Sequence, residues 1–86
     1  VPEVSRFFGI IIAMFYNDHD PPHFHVRYAE HHAVIAFAPL RVLAGSLPPR
    51  ALGLVVEWAL LHKGDLEENW QRARRDVPLV PIAPLD

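Results

Sequence analysis

Eighty-six residues carrying a net charge of −2 make one domain with a thin core, not two. The absence of Cys excludes disulfides, iron–sulfur clusters and thiolate zinc sites, and the lack of a basic excess argues against a broad electrostatic nucleic-acid platform. Six His and nine Pro are the compositional departures.

Residues 7–16 read as a first strand, apolar on both alternating faces, so both of its sides should be covered. Asn17-Asp18-His19-Asp20-Pro21-Pro22 breaks it with turn formers and prolines. Residues 23–29 form a second strand. Phe24, Val26 and Tyr28 lie on one face, and His23, His25 and Arg27 on the other. Residues 32–38 form a third strand. A Glu30-His31 turn would set Phe24 opposite Phe37 and His25 opposite Ala36. Residues 41–47 add a weaker fourth strand.

Pro48-Pro49 starts a helix over 49–75, with Val55, Trp58, His62, Leu66 and Trp70 on one stripe. Such a helix is about 40 Å long, more than the ~30 Å width of a domain this size. A bend or break at 63–65, beside Gly64 and with Asp65 as cap, is the favoured solution. The tail, 77–86, carries Pro every third residue. In polyproline II that spacing stacks Leu79, Ile82 and Leu85 on one side of an extended strap. The strap either lies across its own domain or docks on a second chain through Leu79, Ile82 and Leu85. The expected architecture is therefore α+β: a three- to four-stranded antiparallel meander over 3–47, a helical part over 49–75 and an extended tail over 77–86. No apolar run is long enough to span a bilayer. The opening residues from Val1 lack a basic n-region and cleavage site, so a cytoplasmic location is expected.

The densest polar cluster runs from Asp18 to His25. His19, His23 and His25 follow H-x3-H-x-H, with two imidazoles on one strand face and one in the loop before it. Zinc and similar borderline metals favour imidazole, and Asp18 can ligate or orient a ring. A cupin-like H-x-H-x4-E spacing ends at Glu30, but strict alternation points Glu30 away from the histidines. A metal-free alternative uses His23 and His25 as acid and base on RNA, with Arg27 holding the phosphate. A purely structural role for the cluster is the third reading. His31 and His32 read as hairpin-tip residues, and Trp58 and Trp70 as core anchors.

The segments Val4-Ser5-Arg6-Phe7-Phe8-Gly9, Asn17-Asp18-His19-Asp20-Pro21-Pro22-His23-Phe24-His25 and Glu57-Trp58-Ala59-Leu60-Leu61-His62 resemble the domain-of-unknown-function 4160 family. The resemblance covers nearly the whole chain. In such proteins Gly is common at the position of Ala29. The resemblance implies a small prokaryotic protein in a toxin–antitoxin-like two-gene module, beside a partner of the domain-of-unknown-function 2442 family. It supplies no established catalytic residues. Three functions follow as expectations: a toxin-like component acting on RNA through His23, His25 and Arg27; a divalent-metal-binding protein using His19, His23, His25 and Asp18, with Zn as a candidate; or a non-catalytic interaction module, which can include self-association.

Overall fold

The computed structural model describes residues 2–86; Val1 lies outside them. Five strands, β1 (Glu3–Phe7), β2 (Ile10–Ala13), β3 (His23–Tyr28), β4 (His31–Phe37) and β5 (Leu40–Ser46), form one antiparallel sheet in chain order. Two helices follow, α1 (Pro49–Leu61) and α2 (Lys63–Arg74). The α+β meander expected from the sequence is thus observed, with five strands rather than three or four.

The additional strand comes from the first apolar run. Residues 7–16 are not one strand but the end of β1, a Phe8-Gly9 turn and β2. Phe8 and Gly9 have φ of 51° and 80°, as a two-residue turn between twisted strands requires. Gly9 accepts this freely, whereas Phe8 is strained and 59% exposed.

The β3–β4 turn is also corrected. It consists of Ala29-Glu30, not Glu30-His31, and pairs Tyr28 with His31, Phe24 with Ile35 and His25 with Val34. Ala29 takes a φ of 53°, normally a task for Gly. The register differs from the expected one by two residues, so every side chain keeps its face.

The inner face presents Ile10, Ile12, Phe24, Val26, Ala33 and Ile35 to the helices. Val55, Trp58, Leu66 and Trp70 fill the other side of this core. Trp58 is fully buried, its ring 5.5 Å from Phe7 and 5.8 Å from Phe24. Each large side chain buried this way contributes about 1.5–3 kcal/mol.

Pro48 is extended (φ −55°, ψ 146°), and Pro49 occupies the first helical turn, where its missing N–H costs nothing. The helical part breaks at His62 (φ −124°, ψ 33°), slightly before the expected 63–65. Gly64 already lies inside α2. Asp65 does not cap α2 through its side chain; its carboxylate meets His62 Nδ1 at 3.2 Å.

The proline-spaced tail returns along the helices to the β1 edge. Ile82 N–H donates to the Val4 carbonyl at 2.7 Å, and Trp58 Nε1–H donates to the Ala83 carbonyl at 2.9 Å. Asn69, 1% exposed, holds Val80 from both sides: its Nδ2 donates to the Val80 carbonyl and its Oδ1 accepts the Val80 N–H, both at 2.8 Å. Ile82 and Leu85 are buried in the chain's own core, and Leu79 lies half-buried against it. The strap therefore runs beside the helices and β1, leaving the outer sheet face uncovered around Arg27 and His32. No helix among the described residues is long and apolar enough to cross a membrane.

Candidate metal centre

Strand alternation sends His23, His25 and Arg27 of β3 to the outer face. The loop before β3 folds back over its start. Asn17, with φ of 59°, reverses the chain, and Asp18 Oδ1 accepts the His19 backbone N–H at 3.0 Å. This leaves Asp18 Oδ2 facing the strand. It lies 2.8 Å from His23 Nε2 and 3.3 Å from His25 Nε2. The loop is further held by Arg74 of α2, which donates to Asp20 at 3.0 Å.

Each ring is positioned by neighbours. His23 Nδ1–H donates to the Pro21 carbonyl at 2.7 Å, and the ring lies against Trp70, with centroids 5.3 Å apart. That hydrogen bond fixes the tautomer and turns the Nε2 lone pair toward Asp18. His25 meets Phe15 edge-on at 4.4 Å and stacks on His32 at 5.6 Å. Neutral His23 would therefore aim a lone pair at a carboxylate oxygen only 2.8 Å away. A cation must lie between them, either the proton of an imidazolium or a metal ion.

Electrostatics differ between the members. Burial works to raise the pKa of Asp18. The His19 backbone N–H and the His25 and His23 rings outweigh it and hold the carboxyl below its usual value. Burial pushes the His25 imidazole below its ordinary value, aided by His23 and His32 and opposed by Asp18. A carboxylate that stays ionised beside an imidazole that stays neutral is the protonation state metal ligands need.

The geometry fits such an ion. One ligand atom from each of Asp18, His23 and His25 lies within 4.8 Å of the others. Ligands sharing a metal at ~2.0–2.1 Å stand about 2.9–3.4 Å apart in octahedral or tetrahedral arrangements. The observed 3.3 Å lies within that span and 2.8 Å just below it.

The remaining candidate residues lie elsewhere. His19 is exposed in the loop and outside this group, so the compact set is Asp-His-His rather than three imidazoles. Arg27 is exposed on the same face, one step along β3 from His25. Glu30 sits in the β3–β4 turn, 3.7 Å from His31 Nε2. His31 and His32 belong to β4 rather than to a turn tip, and His32 joins His25 on the outer face. Sequence reasoning missed Trp70 as the wall behind His23. It also missed Phe15 and His32 as neighbours of His25. Trp70 comes from α2, Phe15 from the segment after β2 and His32 from β4, so the tertiary fold brings them together.

The family model described as "Domain of unknown function (DUF4160)" matches residues 9–71, well over half of the chain, so the chain belongs to that family. No curated protein and no solved structure matches it.

Proposed function

We propose that this member of the DUF4160 family binds a divalent transition metal through Asp18 Oδ2, His23 Nε2 and His25 Nε2. The observation that carries the reading is the convergence of both Nε2 atoms on one carboxylate oxygen, with His23 Nδ1 tied off on Pro21. Two imidazoles and one carboxylate suit Zn²⁺ or Fe²⁺. Three protein ligands leave coordination positions open, which is the habit of reactive rather than purely structural sites. Asp18 and His25 are 23% and 22% exposed at their side chains, so the cluster is reachable from solvent. Trp70 shields the opposite side of His23 and keeps its ring in place.

The test is elemental analysis of protein purified without a histidine tag, incubated with Zn²⁺ and desalted. About one equivalent is expected in the wild type, and little in Asp18→Ala or in His23→Gln/His25→Gln. Wild-type retention below about a tenth of an equivalent would refute the reading.

A second reading is favoured by exposed Arg27 on the same strand face as the two histidines. It makes the chain the toxin-like component of a two-gene module, beside a partner resembling the domain-of-unknown-function 2442 family. One histidine takes the proton of an RNA 2′-hydroxyl as that oxygen attacks phosphorus. The other donates a proton to the departing 5′ oxygen, leaving a 2′,3′-cyclic phosphate. Induced expression tests it. Wild type slows growth and cleaves RNA, while His23→Ala/His25→Ala does neither. A wild type with no effect on either rules it out.

A further inference from the structure

Beside the cluster, the outer sheet face sinks into a depression of about 90 Å³. That is room for a few waters or for one tetrahedral oxyanion. Ile11 and Phe15 supply apolar wall, and His25, Arg27 and His32 supply the polar groups. Arg27 and His32 are directly opposed across the β3–β4 ladder, and Ile11 opposes Arg27 from β2.

The charge around this depression is unbalanced. Glu3, the acidic residue of β1, is spent on Arg6, meeting its guanidinium at 2.8 and 3.1 Å. Asp18 is engaged by the two histidines. Arg27 has no ion-pair partner among the described residues. Thus a planar guanidinium and an imidazole flank a small cavity on a face where the nearby carboxylates are taken. Guanidinium matches the paired oxygens of phosphate.

We infer that this depression binds the phosphate group of a phosphate ester, held by Arg27 and His32 next to the Asp18/His23/His25 cluster. The inference rests on the metal reading for the charge of its neighbour. A divalent ion held by Asp18, His23 and His25 outweighs the one carboxylate charge, so the loaded cluster is net positive and attracts an anion. Binding of phosphate should therefore strengthen when metal is loaded, and the open side of the cluster faces the bound ester.

The experiment is calorimetric titration of the 86-residue chain with inorganic phosphate, uridine 5′-monophosphate and a short single-stranded RNA, each with zinc-loaded and chelator-treated protein. Arg27→Gln should weaken uridine monophosphate binding about tenfold or more, the usual weight of a charge-assisted pair. His32→Gln should weaken it by a smaller factor. Arg41→Gln, on the same sheet face opposite Ala36, should change it less than about twofold. Arg27 and Arg41 are exposed, so both variants should fold, and circular dichroism checks this. If RNA binds more tightly than the mononucleotide and depends on Arg27, the ester belongs to a chain. If the two bind alike, it belongs to a small molecule. Either result supports the site. Arg27-sensitive phosphate binding in a protein that takes up no zinc would keep the site and remove the metal reading. One equivalent of zinc with no phosphate binding, or binding indifferent to Arg27→Gln, would overturn the site and leave the metal reading standing.

Discussion

Replacing Asn69 by Leu tests how the tail is held, and through it how α2 is fixed behind the site. Leu is close to Asn in size, so the change removes two hydrogen bonds without opening a large cavity. Both bonds are 2.8 Å and both go to the backbone of Val80. Val80 is 46% exposed, so its released N–H and C=O can reach water. The cost is then the net value of each bond, about 1 kcal/mol, rather than a full desolvation penalty. Two bonds give about 2 kcal/mol, or a fall in Tm of about 8–16 °C for a domain of this size. The same energy raises local opening of the tail up to about 30-fold. Limited proteolysis within 77–86 should accelerate by up to that factor when closing is fast relative to cleavage. Thermal unfolding by circular dichroism and the cleavage rate together check the argument. A Tm within about 2 °C of wild type, with unchanged cleavage, would refute the account of tail docking.

Three further outcomes follow from local geometry. Phe8→Asn should raise stability by about 0.5–1 kcal/mol, because Asn tolerates the φ of 51° that strains an exposed Phe; an unchanged or lower urea midpoint would contradict this. Gly45→Ala should be severely destabilising, since a Cβ there would meet the His32 carbonyl oxygen at a φ of 74°; a variant with wild-type Tm would show that the β4–β5 pairing is wrong. In metal-free protein, the His25 pKa is lowered on folding, so the unfolded chain binds the proton more readily. Stability is then full above the ordinary histidine pKa of ~6.5 and falls as pH drops through it. Asp18, also lowered, adds a second loss below ~4. Urea midpoints at pH 7.5 and 5.5 should differ more for wild type than for His25→Gln, and equal differences would dismiss His25 as the cause.

The parts of this fold legible in the sequence are those that depend on period. Alternation along residues 23–29 placed His23, His25 and Arg27 on one face, and this survived a register shift of two because side-chain parity has period two. The helical stripe through Val55, Trp58, Leu66 and Trp70 likewise became the core. What failed depends on single backbone positions. Phe8-Gly9 turns in the middle of an unbroken apolar run, with only Gly9 to mark it. The expected helix break is present, and only its position moved, from 63–65 to His62, which has no turn signature of its own. In the candidate site, the spacing of His19, His23 and His25 suggested three imidazoles. The loop instead turns Asp18 inward, because Asn17 adopts a left-handed conformation and Asp18 braces the His19 N–H. Trp70 reaches His23, and His32 reaches His25, across pairings that no local pattern encodes.

The most direct test of the metal reading is a crystal structure of the untagged chain grown with zinc, with data collected at the zinc absorption edge. A metal site there predicts one anomalous peak ~2.0–2.2 Å from Asp18 Oδ2, His23 Nε2 and His25 Nε2 together. An ordered Asp18/His23/His25 cluster with no peak, or a peak held by other residues such as His19, would contradict it.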